Sequence, residues 1–266
     1  MEIMIITRSI RILRTKAAII AAVFSVLLCY SNFLSAQDYK RCYNWYFGNN
    51  AGLNFSSGSP VNSLGSAMTS YEGTTAISDA AGTLLFYTNG EQIWNRNHSP
   101  MTNGTLIQSC QSSFQSGIVV PDPGNASKYY LFGVDCFENL YKGLFYSIID
   151  MTLSAGNGAV TATKEVNLVG NTFEIVTATK HANGTDYWVV THTQASASFY
   201  AFCVSSTGIA APIISNVGIT VADNSQLKIS PDATKIATVS WICNFNNSTG
   251  VISNPLPTGI PEGDFG

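Results

Sequence analysis

An all-β fold is predicted by three features of the sequence: few charges, many turn formers, and aromatic residues gathered into short runs. Of 266 residues only 11% are charged, while 22 glycines, 9 prolines and an aromatic share of 11% suit short strands and tight turns. A coiled coil or helical bundle would need many charged residues at helical spacing, and so is disfavoured. The length allows one or two domains, and one large all-β domain fits as well as two small ones.

The first element reads as a leader. Arg8, Arg11, Arg14 and Lys16 form a basic stretch, and Ala17 to Leu28 is apolar apart from Ser25. A small-residue site follows in Leu34-Ser35-Ala36-Gln37, so residues 1–36 are expected to be a signal peptide and residues 37–266 the mature domain. The alternative is a permanent anchor, because Ala17 to Ala36 counts 20 residues, but Ser31, Asn32 and Ser35 weaken the far end of such a span. The expected location is therefore secreted or at the cell surface, without membrane insertion after cleavage. Cleavage would leave nine basic against fifteen acidic residues. With no basic run left, nucleic acid and anionic membrane surfaces are poor partners.

Four units of one pattern then follow, each with a short apolar strand, a polar turn, and a return through an aromatic or β-branched strand. Their first two strands are Thr75–Ser78 with Leu84–Tyr87, Ile118–Val120 with Tyr129–Phe132, Val176–Lys180 with Tyr187–Val190, and Leu227–Ser230 with Ile236–Val239. Third strands are expected at Gln92–Trp94, Gly143–Ile149, Phe199–Phe202 and Cys243–Phe245. A fourth should follow a hairpin at Asn103-Gly104, Gly156-Asn157-Gly158, Ser206-Thr207-Gly208 or Ser248-Thr249-Gly250. Equivalent points Ser78, Val120, Lys180 and Ser230 lie 42, 60 and 50 residues apart, which is about the period of β-propeller blades. Trp45–Phe47 and Leu53–Phe55 add two strands of a further unit. The expectation is thus a β-propeller with about four to five blades visible, either incomplete or closing with about five. A partial ring would leave two bare sheet faces. A β-sandwich or β-solenoid is the competing architecture.

Exported chains permit disulfides, and five cysteines remain after the leader: Cys42, Cys110, Cys136, Cys203 and Cys243. Cys110 with Cys136, and Cys203 with Cys243, are the expected pairs because each falls in neighbouring units. No CxxC spacing occurs, so a zinc site has little support.

The candidate site residues are Glu72, Glu174 and His192. Glu72 and Glu174 each precede a unit's first strand, where the entry loops of a propeller face its channel, and two carboxylates there can hold a hard divalent cation such as calcium or a sugar hydroxyl. His192 ends a strand facing a loop. His98 and His181 read as turn residues, and Asp79, Asp122 and Asp232 as turn caps that bond their own backbone. The aromatic pairs Phe86-Tyr87, Tyr129-Tyr130 and Tyr187-Trp188 recur at one place in their units, which favours packing between units over a sugar-stacking platform. No Gly-x-Ser-x-Gly, His-Glu-x-x-His or phosphate-binding glycine loop is present.

Trp45-Tyr46-Phe47-Gly48-Asn49-Asn50-Ala51-Gly52-Leu53-Asn54-Phe55 resembles the opening of large secreted propeller proteins of gliding bacteria, the gliding-motility-associated kind exported by the type IX route. Leu85-Phe86-Tyr87-Thr88-Asn89-Gly90, Ile93-Trp94-Asn95-Arg96-Asn97-His98, Lys180-His181-Ala182-Asn183-Gly184 and Leu227-Lys228-Ile229-Ser230-Pro231-Asp232 are similar in the same order. The turn Pro231-Asp232-Ala233-Thr234 lacks the glycine that family commonly has, and it is also WD-repeat-like. The resemblance implies a bacterial surface propeller without catalysis, binding an extracellular protein or glycan in motility or adhesion. Two other readings stand beside it. One is a lactonase-like or glycan-cleaving propeller enzyme with a metal or acid pair at the channel mouth, and the other is a fragment of a longer protein.

Overall fold

The computed structural model describes residues 39–105, 107, 109–140, 142–194, 196–219 and 226–260. The expected signal peptide and residues 261–266 lie outside the described residues. The described chain is all-β, with short 3₁₀ turns at Tyr39–Cys42, Phe137–Asn139 and Ser154–Gly156. Among the described residues no helix is long and apolar enough to cross a membrane.

Strands pair mostly with their sequence neighbours, in antiparallel register. The first sheet holds β1 (Asn44–Phe47), β2 (Ala51–Asn54) and β3 (Val61–Asn62). Then come β4 (Thr75–Ser78), β5 (Leu84–Thr88), β6 (Gln92–Asn95) and β7 (Pro100–Thr105). The next group is β8 (Gly117–Asp122), β9 (Asn125–Val134), β10 (Leu144–Asp150), β11 (Ala159–Val160) and β12 (Val166–Val169). A parallel contact between Ala159 of β11 and Thr102 of β7 joins these two groups into a nine-stranded sheet. A five-stranded sheet follows, of β13 (Thr172–Lys180), β14 (Tyr187–Thr193), β15 (Ser198–Ser205), β16 (Gly208–Ile209) and β17 (Ile213–Asn216). The last holds β18 (Lys228–Ile229), β19 (Lys235–Ala237), β20 (Trp241–Phe245) and β21 (Ile252–Pro257).

Alternation along the strands decides the packing, because successive side chains point to opposite faces. In β9, Tyr129 and Leu131 join a core with Phe86 and Ile93, while Tyr130 and Phe132 face Val176, Val189 and Phe202. In β14, Val189 faces one way, and Trp188 and Val190 meet Ile236, Phe245 and Ile252 of the last sheet. A further core sets Tyr46 of β1 against Leu84, Tyr87 and Trp94. Every inner group is therefore apolar on both faces. The recurring aromatic pairs lie in these cores, as their repetition predicts.

Two sequence expectations are corrected. Asn103-Gly104 is not a hairpin: it lies inside β7, with Asn103 at φ 58°, and the turn before β7 is Arg96-Asn97-His98. Cys203 and Cys243 are free thiols, not a disulfide. They lie on β15 and β20, in sheets packed face to face. Stacked sheets stand about 10 Å apart, beyond the roughly 7 Å that a disulfide spans between Cα atoms. Both thiols instead pack as small apolar groups. Cys110 and Cys136 are bonded, with their Cα atoms 5.6 Å apart.

Candidate functional site

The first strands β4, β8, β13 and β18 run side by side, each in contact with the next. At their entry ends lies a cleft of about 230 Å³, lined by Thr74, Thr75, Phe114, Gln115, Gln226 and Lys228 among others. Hydroxyl, amide and ammonium groups thus share a wall with one aromatic ring, a mixture suited to a small polar ligand. A second cleft of about 240 Å³ lies between β1 and β4, with Trp45 and Phe47 in its walls.

Residues 109–116 form a strap beside the first cleft, rich in short hydroxyl side chains that bond nearby backbone. Ser109 Oγ donates to the Val134 carbonyl at 2.9 Å and also bonds the Ser116 carbonyl, while Ser113 Oγ donates to Val134 at 3.2 Å. Ser116 Oγ donates to the Gly73 carbonyl at 2.5 Å, and the Gly73 amide donates to the Ser113 carbonyl at 3.0 Å. At the far end, Gln115 Nε2 donates to the Leu227 carbonyl at 3.2 Å and its Oε1 accepts the Leu227 amide at 2.8 Å. One side chain thereby ties the strap to the start of the last sheet. The Cys110–Cys136 disulfide fixes the near end.

Glu174 holds this strap through its carboxylate and Glu72 through its backbone amide. The Glu72 amide donates to the Gln111 carbonyl at 3.2 Å, and burial followed by the charge of Glu138 raises the Glu72 carboxyl above its ordinary range. Glu174 is buried in a bulged stretch of β13 between Phe173 and Ile175. Its Oε2 accepts the Phe114 amide at 3.3 Å, and its carbonyl accepts the Gln115 amide at 3.1 Å.

His192 stands apart from them. It is fully buried on β14, its ring 4.5 Å from that of Phe199 and 6.1 Å from that of Phe173. Among the described residues, neither ring nitrogen has a hydrogen-bond partner. Burial lowers its pKa to about 4, and a weak opposing contact with the Thr193 backbone does not meet hydrogen-bond geometry. Strand alternation puts His192 on the Trp188 and Val190 face, between the last two sheets, whereas Glu174 reaches the strap. The three candidates therefore do not converge on one ligand. Among the described residues, the grouping of three with metal-binding spacing is Cys110, Cys136 and Glu138, and its cysteines are spent in the disulfide.

The other polar residues are accounted for by turns. His181 Nδ1 accepts the Asn183 amide at 2.9 Å, and His98 Nδ1 hydrogen-bonds the Tyr87 hydroxyl at 3.0 Å. Asp79, Asp122 and Asp232 accept backbone amides two residues ahead, as turn caps do. Gln115 and Lys228 were not singled out by the sequence. The signal available was Ser109-Cys110-Gln111-Ser112-Ser113-Phe114-Gln115-Ser116, a polar run too long for a tight turn between two strands.

No protein-family model and no curated protein matches the chain. Among solved structures it is similar to a protein of Desulfotomaculum acetoxidans DSM 771 described as functionally unknown, at 10% identity over 83% of this chain and 84% of that one. The TM-score is 0.30, a likeness too slight to bear on function.

Proposed function

We propose that this chain is a secreted, non-catalytic binding module of the gliding-bacterial surface type, built as a β-propeller whose blades are the successive sheets. Its ligand is a glycan or a polar segment of an extracellular protein, bound where the first strands converge. The observation that carries this reading is the strapped cleft, in which Thr75, Gln115, Gln226 and Lys228 line about 230 Å³ beside the ring of Phe114. Ligand sites on a rigid scaffold sit on such loops.

Three further features support it. The Glu174 carboxylate accepts the Phe114 amide, so this acid is engaged in holding the strap. The Cys110–Cys136 bond suits an oxidising, extracellular compartment. The first strands lying in sequence order, each against the next, suit a radial arrangement.

A glycan array probed with the exported protein tests the reading, followed by titration calorimetry of the best hit. Lys228→Ala should weaken that binding about tenfold while leaving the melting temperature unchanged. Binding that is unaffected by Lys228→Ala and by Thr75→Val would place the ligand elsewhere.

A further inference from the structure

Some side chains at the strapped cleft have no use inside the molecule. Phe114 is half-buried on a strap rich in serine, and it belongs to none of the cores into which the aromatic strands pack. Lys228 is exposed at the start of β18, and among the described residues its ammonium has no carboxylate or hydrogen-bond partner. Thr75 Oγ1 is likewise without a partner among the described residues. All of them line the same cleft, whose lining among the described residues holds no acidic side chain. The Glu174 carboxylate lies outside that lining, buried on β13 where it accepts the Phe114 amide. The Gln115 amide, by contrast, is spent at both ends on the Leu227 backbone, which fixes the residue next to Lys228.

We propose, resting on the binding reading above, that the cleft takes one hexuronic acid residue of an acidic glycan. Such a sugar carries a flat carbon face, hydroxyls and a carboxylate on one rigid ring, and each finds a counterpart. The C–H bonds of a pyranose face carry slight positive charge and settle on the negative π face of Phe114. The carboxylate meets the Lys228 ammonium, with no acid in the described lining to oppose it. A ring hydroxyl bonds Thr75 Oγ1, which can donate or accept. An acidic peptide matches less well, because its carboxylate swings on a flexible side chain that costs entropy to fix and offers Phe114 no flat face. The cleft's 230 Å³ is below the roughly 300 Å³ at which pockets for drug-sized ligands begin, so one ring enters and the rest of the glycan lies outside.

Titration calorimetry tests this with short oligosaccharides of galacturonate, glucuronate and mannuronate, their methyl esters, and triglutamate. At least one uronide should bind the wild type at least about tenfold more tightly than its ester, which keeps the ring and hydroxyls but loses the charge. High salt should narrow that gap. Lys228→Met should erase it and Lys228→Arg keep it, whereas Phe114→Ala should weaken acid and ester alike, by about tenfold. Equal binding of acid and ester, a gap that survives Lys228→Met, or triglutamate that binds as tightly as the uronide would each overturn the assignment. Uronides that fail to bind while a neutral glycan binds would overturn it and leave the binding reading standing; if no glycan binds, both fall. The comparison of acid with ester is made on the wild type, so it decides even where a variant misfolds.

Discussion

His192 concentrates the cost of burying a titratable ring. In the unfolded chain it titrates near its ordinary 6.5, and in the folded chain burial between Phe173 and Phe199 holds it at about 4. Between those values the unfolded state binds the proton and the folded state does not. Stability from this residue is therefore complete above about pH 6.5 and falls as pH drops toward 4, by on the order of 3 kcal/mol. Melting temperatures measured across that window should show the decline, and His192→Phe should flatten it. A slope that persists in the variant belongs to carboxylates instead.

The free thiols make a second test at this scale. Cys42 is exposed, whereas burial lifts Cys243 to about 11. Alkylation of the native protein followed by mass spectrometry should label Cys42 and spare Cys243 until denaturant is added.

Among the elements, the strap at 109–116 carries most of the tertiary hydrogen bonding near the cleft. Replacing Cys110 with Ser should cost about 2–4 kcal/mol in chemical denaturation, through the loss of one constraint on the unfolded chain. Gly73→Ala acts on the same element by space alone. A Cβ there would lie 2.3 Å from the Ser116 amide nitrogen and 2.6 Å from the Ser113 carbonyl oxygen, so the strap must shift. Destabilisation of about 1–3 kcal/mol and weaker ligand binding are expected together, read by denaturation and calorimetry.

The strands themselves were legible because period-two alternation and β-branched or aromatic runs report local physics. Thr75–Ser78 is β4 as read, and Leu84–Tyr87 falls one residue short of β5. The strap was not legible, since its bonds to Gly73, Val134, Glu174 and Leu227 join residues far apart in sequence. Asn103-Gly104 misled for a related reason. Asn-Gly favours positive φ, and Asn103 has it, but its Nδ2 donates to the Val160 carbonyl at 3.1 Å, so a contact from a distant strand fixed its place in β7.

Over the whole molecule, composition gave the all-β class, and the repeated aromatic strands gave the succession of cores. Whether two sheets would come within bonding distance was invisible to spacing, which is why Cys203 and Cys243 were read as a pair. The parallel rung between Ala159 and Thr102 was equally hidden, and it is reinforced by Ser154 Oγ donating to Thr102 Oγ1 at 2.9 Å and by Asn103.

That rung gives the molecule unequal seams under tension. Elsewhere, neighbouring groups meet chiefly through side chains, which peel apart gradually. At β7 and β11 backbone bonds must shear first. Pulled from its two ends in an optical trap, the protein should shed the first, five-stranded and last sheets in separate small extensions and then release Thr75–Val169 in one abrupt step, shortened by the loop that the Cys110–Cys136 disulfide holds closed. Thr102→Pro, which adds a ring beside that rung, should split the abrupt step in two.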